Sequence, residues 1–568
     1  MIMETDASVN RPFRKSAWTP VILIALAGIA VYLTSLPGAF IWDDIHFIRN
    51  NVYLRSVAYL PRIVTGDVAA GSGETYNYYR PLTTVTYLAD YAAWGLNPAG
   101  YHVSSILFHV LAAVAVYFLL FLLYRDKLLA FIAGLLFVLH PIQTETVAYI
   151  SGRPDSLAAL CLLACFISYL KNLDSRHLSV SILTVFFYLL ALLSRENSVV
   201  LPALILLYHV AFRKKVAFPV FLVLATMAAG YVLLRALLMA PAVVPTALSE
   251  RLPGFFASLT GYLKLVFIPV DLHQEYGFVL FRPDDPRVLG GVMIAAVFLL
   301  IAVRGCLRKP VSLVLFSIGW FFIGLGPVSG IYPIKTYIAE HWLYLPSIGI
   351  FTLISAGYVR LLRSDRHRRP VLAAGTAVLL LYGLLTAHQN GYFRDPLTFY
   401  ERTLVYTPES ARMHNNLGNI YFTRGRVEDA ARSYREAMTL EPDYPNPYNN
   451  LGNIYYRSGE FDKAIPLFQH AIELNPWYAA AYNNLGIIYC RQGRAEEGIA
   501  LLKRSAVINP RDPDTFYNLG VVYDLTDKPE EAAEAYRESL KLMPDSGRAH
   551  SRLSETLRRL GQHGQADY

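Results

Sequence analysis

Long apolar blocks alternate with short polar stretches over the first two thirds of the chain. Eleven of these blocks approach the roughly 20 residues that a helix needs to cross a bilayer. They lie at 18–37, 101–124, 128–150, 156–171, 178–194, 197–212, 216–238, 287–304, 311–330, 343–362 and 371–389. The pattern predicts a polytopic helical membrane domain of about eleven spans over residues 1–390.

The pattern changes after residue 391, where short motifs recur at a fixed spacing. Asn-Leu-Gly begins at Asn416, Asn450, Asn484 and Asn518, at intervals of 34 residues. Tyrosine and proline keep the same period, at Tyr421, Tyr455, Tyr489 and Tyr523 and at Pro442, Pro476, Pro510 and Pro544. This period is typical of tetratricopeptide repeats, in which helix pairs stack into a solenoid. We therefore predict an all-α fold, with an α-solenoid of about five repeats over residues 391–568.

Composition agrees with a membrane protein that carries a soluble domain. Of the 568 residues, 54% are hydrophobic and 17% are charged, which excludes one soluble globule. The net charge of +8 comes largely from clusters between spans. No stretch mixes aromatic and basic residues as a nucleic-acid surface does. The four cysteines show neither a disulfide framework nor metal-ligand spacing.

Basic clusters fix the predicted orientation in the membrane. They lie at Arg11/Arg14/Lys15, Arg125/Lys127, Lys171/Arg176/His177, Arg213/Lys214/Lys215, Arg304/Arg308/Lys309 and Arg363/Arg366/Arg368/Arg369. With eleven spans, all six clusters fall on the cytoplasmic side, as the positive-inside rule requires. The repeats are then extracytoplasmic. A short N-terminus and compact loops favour the inner membrane of a bacterium.

Ionisable residues gather in the loops predicted to face outward. They are Asp43, Asp44, Arg80, Glu145, Arg153, Asp155, Arg195, Glu196, Lys335, Glu340 and His341. Each alone is explained by a solvated loop or by a helix-end charge that snorkels to water. Together, acids and bases at the membrane edge suit transfer from a lipid-phosphate sugar. Cations hold the phosphate and stabilise it as it leaves, and a carboxylate takes the proton of the acceptor hydroxyl.

The order of the motifs resembles a known family. The acidic pair is followed by Tyr79-Arg80-Pro81-Leu82, His140-Pro141 with Glu145, Gly152-Arg153-Pro154-Asp155, Ser194-Arg195-Glu196-Asn197 and Ala339-Glu340-His341. This series is similar to that of the transmembrane-and-tetratricopeptide O-mannosyltransferases and their bacterial relatives. The resemblance implies the C-type glycosyltransferase (GT-C) fold and a polyprenyl-phosphate sugar as donor.

The resemblance also implies roles for the charged residues. Asp43 or Asp44 is the general base or positions it, and Glu145 supports the acceptor or binds a metal. Arg195 is the first choice for the donor phosphate, followed by Arg80, Arg153, Lys335 and His341, with Asp155, Glu196 and Glu340 in support. No cofactor is assigned, and a divalent metal stays an open alternative.

The recurring asparagines allow two interpretations. Asn416, Asn450, Asn484 and Asn518 occupy one position on the first helix of each repeat. An amide offers both a donor and an acceptor, which matches the backbone of an extended acceptor peptide. In the other interpretation, the same amides bond between repeats. The array resembles the Asn-ladder repeats of the O-GlcNAc transferases, which hold acceptor peptides in this way.

These features predict an inverting glycosyltransferase. It moves mannose or another hexose from a polyprenyl-phosphate donor to Ser or Thr hydroxyls of a protein that the repeats present. Two alternatives stay open. One is a non-catalytic membrane scaffold whose repeats recruit envelope proteins. The other is a GT-C transferase that acts on a glycan or a lipid.

Overall fold

The computed structural model describes residues 18–175, 177–239, 247–277, 280–308, 312–331 and 336–561. Within these ranges the chain is helical and has no β-strand, which confirms the all-α fold. Contacts divide it into two compact units, Met1–Phe399 and Tyr400–Tyr568. The division falls inside the helix Pro396–Tyr406. The boundary between residues 390 and 391 stays a prediction.

The first unit contains the apolar helices. They are α1 Trp18–Tyr32, α2 Leu60–Thr65, α3 Pro81–Trp94, α4 Pro98–Tyr124, α5 Lys127–Leu139, α6 Thr144–Ala148, α7 Arg153–Ser175, α8 Leu178–Ser194, α9 Leu201–Phe212, α10 Phe218–Leu238, α11 Leu248–Phe267, α12 Pro286–Arg308, α13 Leu313–Leu325, α14 Ser347–Leu362 and α15 Arg368–Asn390. Short 3-10 turns extend or join several of them.

The predicted apolar blocks all form helices. Six helical segments are long and apolar enough to cross a membrane. A bent pair makes a seventh, and four shorter apolar helices account for the remaining blocks. The chain is therefore a multi-pass membrane protein. The count of eleven crossings, and the side on which the repeats lie, stay predictions.

The third apolar block is bent rather than straight. Its two parts, Lys127–Leu139 and Pro141–Ala148, meet at an angle of 55°. Pro141 has no backbone N–H, and a residue before proline is pushed out of the helical region. His140 accordingly has an extended backbone, with φ −73° and ψ 130°. The bend gives Glu145 a short helix of its own, α6.

The loop between α1 and α4 is packed and has its own apolar core. Phe47, Ile48 and Leu54 form this core together with Tyr87 and Ile150. Since Ile150 comes from the turn before α7, the loop is tied to the segment that carries Arg153 and Asp155. The acidic pair therefore lies on a fixed support rather than on a free loop.

The second unit is a stack of helix pairs. After the single helix α16 Pro396–Tyr406 come α17 Ala411–Thr423, α18 Val427–Leu440, α19 Pro445–Arg457, α20 Phe461–Leu474, α21 Ala479–Arg491, α22 Ala495–Ile508, α23 Pro513–Leu525, α24 Pro529–Leu542 and α25 Gly547–Arg559. The glycine of each Asn-Leu-Gly lets the two helices approach. A Cβ on Gly418 would lie 2.5 Å from the ring of Tyr434.

Candidate active site

The acidic pair lies in an unusual turn just beyond α1. Trp42, the residue before it, has φ 52°, a left-handed conformation that bulky side chains rarely adopt. A π-helical turn, Ile45–Arg49, follows directly. Strained residues and π-turns are concentrated at functional sites, where the surrounding packing holds them. This turn gives the two adjacent carboxylates different surroundings.

Asp44 is buried, and its carboxylate links two segments of the chain. Its side chain is 1% exposed, and its Oδ2 accepts the N–H of Ile41 at 3.0 Å. Its Oδ1 accepts the backbone N–H of Ser151 at 2.8 Å and also the hydroxyl of Ser151. Both oxygens are thus used to join the acidic turn to the segment before α7. Asp44 is suited to position its neighbour rather than to meet a substrate.

Asp43 is held by its backbone and partly exposed at its side chain. Its N–H donates to the hydroxyl of Tyr149 at 3.1 Å, and its carbonyl accepts the N–H of Phe47 at 2.8 Å. The hydroxyl of Tyr76 bonds to its carboxylate. Of the two candidates for the general base, Asp43 has the more exposed carboxylate.

Burial gives Asp44 a testable dependence on pH. Desolvation raises the pKa of Asp44 from 3.8 to about 7, and the neighbouring Asp43 adds to the rise. Hydrogen bonds from Ile41 and Ser151 oppose it. Because the folded-state pKa is raised, the fold favours the protonated form. The stability that Asp44 contributes is complete below pH 3.8 and is lost as the pH rises through about 7.

Asp44→Asn tests this dependence. We expect the variant to be less stable than the parent by about 1–3 kcal/mol at low pH, since an NH₂ group replaces one accepting oxygen. The gap narrows as the pH rises from 3.8 to about 7, because over this interval unfolding of the parent alone releases the proton of residue 44. Thermal unfolding of both proteins in detergent, at several pH values across this range, measures the difference in stability. Glu74→Gln, at an exposed carboxylate of the same loop, is the control and shows no such change.

Arg195 and Asp155 line one cavity together with His341. The walls of this cavity include the apolar side chains of Leu162 and Trp342. Arg195 is 6% exposed, and its Nη1 is ion-paired with Oδ2 of Asp155. Its Nε has no hydrogen-bond partner in the part of the chain that the structure describes. A buried N–H left unpaired costs free energy, so the position of this guanidinium calls for an explanation.

Glu145 fixes the position of His341. It is 3% exposed, and its Oε2 accepts the backbone N–H of His341 at 2.9 Å. Its Oε1 contacts Nδ1 of His341 and accepts Nε2 of Gln274 at 2.6 Å. Gly152 packs against the same helix, because a Cβ there would lie 2.5 Å from the carbonyl of Glu145. Among the described residues, no group of three His, Cys, Asp or Glu could hold a metal. The metal alternative for Glu145 therefore finds no ligand set in this part of the chain.

Arg80 is paired with Glu196 rather than open to the cavity. Its Nε and Nη2 donate to the two carboxylate oxygens of Glu196, at 3.0 and 2.6 Å. Its guanidinium also lies 4.2 Å from the ring centroid of Tyr78. Arg80 is 6% exposed. It remains a second candidate for the phosphate, but a ligand would have to compete with a bidentate ion pair.

Arg153 does not fit its predicted role as a phosphate ligand. Its side chain is fully buried, and its Nη1 lies 2.6 Å from Oδ2 of Asp90. Its Nη2 donates to the carbonyl of Tyr101 at 2.8 Å, and the guanidinium lies over the ring of Tyr87. Because protein groups surround this cation on every side, it stabilises the packing of α3, α4 and α7.

Glu340 also serves the scaffold. It is 2% exposed, and its Oε1 accepts the N–H of His273 at 2.6 Å and the hydroxyl of Tyr276 at 2.7 Å. It thereby ties the segment after α11 to the turn that carries His341. The predicted phosphate ligand Lys335 lies outside the described residues.

The acidic turn and the cavity share one electrostatic region. Tyr78 interacts with the charges of Asp43, Arg80, Glu196 and Arg195. Asp155 interacts with Arg195, His341, Arg80 and Glu145. The structure thus gathers most of the predicted charges. Sequence reasoning missed their neutral partners, which are Tyr76, Tyr78, Tyr149, Ser151 and Gln274. Tyr76-x-Tyr78-Tyr79 beside Arg80 was the signal that could have pointed to the first two.

The ladder asparagines bond from repeat to repeat. Nδ2 of Asn450 donates to Oδ1 of Asn415 at 2.9 Å. Asn484 and Asn518 make the equivalent bonds to Asn449 and Asn483, each at 3.0 Å. For these three amides, the interpretation that the asparagines bond between repeats therefore holds. Asn416 begins the row, and all four side chains stay partly exposed. Their role in binding an acceptor peptide stays a prediction.

Comparisons with known proteins agree with both parts of the chain. One family model, described as "TPR repeat", matches residues 418–459 and 452–493, and a second, described as "Tetratricopeptide repeat", matches 477–545. A solved structure titled "Crystal structure of MamA" is 25% identical over 28% of this chain and 92% of its own, with a TM-score of 0.24. The two family models confirm the predicted repeats.

The chain as a whole is similar to proteins named protein O-mannosyl-transferases. One from Caenorhabditis elegans, F38B6.6, is 30% identical over 73% of this chain and 61% of its own length. TMTC3 of Mus musculus is 25% identical over 72% of this chain and 50% of its own, and human TMTC4 is 26% identical over 76% and 68%. The chain spans about half the length of TMTC3 of Mus musculus. The resemblance inferred from the motifs is confirmed.

Proposed function

We propose that this chain, like the protein O-mannosyl-transferases it resembles, is a glycosyltransferase that acts on proteins. It moves mannose or another hexose from a polyprenyl phosphate to a Ser or Thr hydroxyl. The names of the relatives support the transfer to protein. The lipid-linked donor and the roles of individual residues are supported by the geometry of the site.

The observation that carries this proposal is the cavity around Arg195. It combines a buried guanidinium that has one unpartnered N–H with apolar walls that include Leu162 and Trp342. A polyprenyl-phosphate sugar has the same two halves, an anionic phosphate and a hydrocarbon tail. A cation in a water-poor site interacts strongly with such a phosphate. Asp155 and the pair of Glu145 and His341 hold the cavity in shape.

The proposed step is a direct displacement at the anomeric carbon. The acceptor oxygen attacks this carbon, and its proton passes to the carboxylate of Asp43. As the new C–O bond forms, the bond from the anomeric carbon to the phosphate oxygen breaks. The electron pair leaves on the polyprenyl phosphate, whose charge Arg195 stabilises. One displacement inverts the anomeric configuration, and no covalent enzyme intermediate is needed.

The rest of the proposal concerns location. The site faces the outer side of a bacterial cytoplasmic membrane, and the repeats present the acceptor there. The orientation is supported by the six basic clusters that eleven spans place on the cytoplasmic side.

Reconstitution tests the activity. The purified protein is incubated with polyprenyl-phosphate mannose and a peptide rich in Ser and Thr, and the products are analysed by mass spectrometry. We expect one hexose on a Ser or Thr, with inverted linkage. A hexose found only on a glycan or lipid acceptor would support the alternative transferase. No transfer to any of the three acceptor types, by protein that binds the donor, would leave the membrane scaffold as the better description.

A further inference from the structure

Two rows of contacts run side by side along the first helices of the solenoid. The first row is formed by the ladder asparagines, in which Asn450 reaches back to Asn415. In the second row, the guanidinium of Arg457 lies 4.9 Å from the ring centroid of Phe422. Arg491 lies 5.2 Å from the ring of Tyr456 in the same way.

The two rows lie on one face. Arg457 follows Asn450 by seven residues, and Arg491 follows Asn484 by seven. Seven residues are about two helical turns, so each arginine projects from the same side of its helix as the asparagine. We call this surface, formed by α17, α19 and α21, the ladder face.

The charge on the ladder face is not balanced. Helices α17, α19 and α21 contain no Asp or Glu, and the acids of these repeats lie on the second helices or, like Glu441, Asp443 and Glu460, in the connecting turns. Arg457 and Arg491 are exposed. Neither has a carboxylate within 4.0 Å in the ranges that the structure describes. Two cations thus lie over aromatic rings, and neither has an acidic partner among the described residues.

The end of the solenoid supplies an internal comparison. Arg559 on α25 occupies the position of Arg457 and Arg491, 35 residues after Asp524. Here a carboxylate replaces the aromatic ring, and Nη1 of Arg559 donates to Oδ1 of Asp524 at 3.3 Å. Its Nη2 bonds to Asp527 at 3.0 Å. The same position is therefore neutralised where the array ends and left charged in its middle.

We propose that the ladder face binds an extended, acidic polypeptide segment. The asparagine row meets the peptide backbone, and Arg457 and Arg491 pair with Asp or Glu side chains along it. Stacking on Phe422 and Tyr456 fixes each guanidinium in advance, so less side-chain freedom is lost when the pair forms. The binding of an acidic segment to the ladder face does not depend on the proposed function. Only the identification of this segment as part of the glycosyl acceptor rests on the proposed function.

The test measures peptide binding without any sugar donor. The full chain in detergent is titrated against a fluorescent dodecapeptide of alternating Ser and Asp, and against the matching Ser and Asn peptide. We expect the acidic peptide to bind more tightly than the Ser and Asn peptide. Its affinity should fall as salt is added, because salt screens the charges. Arg457→Gln combined with Arg491→Gln weakens it by about tenfold. Arg559→Gln is the matched control and leaves the affinity unchanged, because that charge already has partners.

Two results would overturn this proposal. One is equal binding of the acidic and the neutral peptide. The other is an unchanged affinity in the double variant, with circular dichroism showing that the repeats are folded. Asp43→Asn should bind the peptide like the parent. A protein that binds the acidic peptide but transfers no sugar would contradict the proposed function and leave the ladder face as a docking surface.

Discussion

Asp43→Asn is expected to lower the rate of sugar transfer by about a hundred- to ten-thousandfold, the usual contribution of a general base. Asn has nearly the same shape as Asp but cannot take the proton of the acceptor hydroxyl. The turn should survive the change, because backbone bonds to Tyr149 and Phe47 hold residue 43 in place. Single-turnover transfer from polyprenyl-phosphate mannose measures the rate, and binding of the labelled donor shows that the cavity is intact.

Two further variants make this result specific. Glu74→Gln removes an exposed carboxylate of the same loop and should leave the rate unchanged. Asp44→Asn should lower transfer and, at low pH, stability, because it loosens the bond between the acidic turn and Ser151. The assignment of the base to Asp43 would be wrong if Asp43→Asn kept full activity. The assignment would also be wrong if Asp44→Asn, while stably folded, lost transfer activity and Asp43→Asn did not.

The helices could be predicted from the sequence because their signals are local. Apolar blocks of sufficient length mark spans, and a period of 34 residues marks the repeats. The bend at His140-Pro141 was also visible in principle, since proline and the residue before it both resist the helix. The prediction of a single span over 128–150 rested on apolarity and did not use this local rule.

The partners of the charges could not be read from the sequence. Arg80 pairs with Glu196, 116 residues away, and Glu145 pairs with His341, 196 residues away. Packing between distant helices decides which charge is enclosed and which stays open. Arg153 illustrates this point. Its motif lies among the charges predicted to face outward, yet its side chain is fully buried and contacts Asp90 and the carbonyl of Tyr101.

The choice between Asp43 and Asp44 depended on the same kind of information. The two residues are adjacent and chemically identical, so their sequence context cannot separate them. The left-handed backbone at Trp42 and the amide and hydroxyl of Ser151 give one carboxylate a structural task. The other carboxylate remains accessible to an acceptor.

Removing the cation at position 195 should lower the rate of sugar transfer nearly as much as removing the general base does. Arg195→Met alone leaves the Asp155 carboxylate buried without its partner, which lowers the stability of the fold by about 3–5 kcal/mol. We therefore combine it with Asp155→Asn, which removes that charge, and compare the pair with Asp155→Asn alone. We expect the pair to transfer sugar about a hundred- to a thousandfold more slowly than the single variant, as when a donor to a developing oxyanion is lost.

The division of this effect between kcat and KM tests the role of Arg195. A cation that stabilises the leaving phosphate acts most strongly in the transition state, so the loss should fall on kcat. Arg195→Lys keeps the charge but not the planar fork, and should recover part of the rate. A loss confined to the KM for the donor would contradict the leaving-group role, because Arg195 would then bind donor and transition state equally. The unpartnered Nε would in that case serve ground-state binding alone.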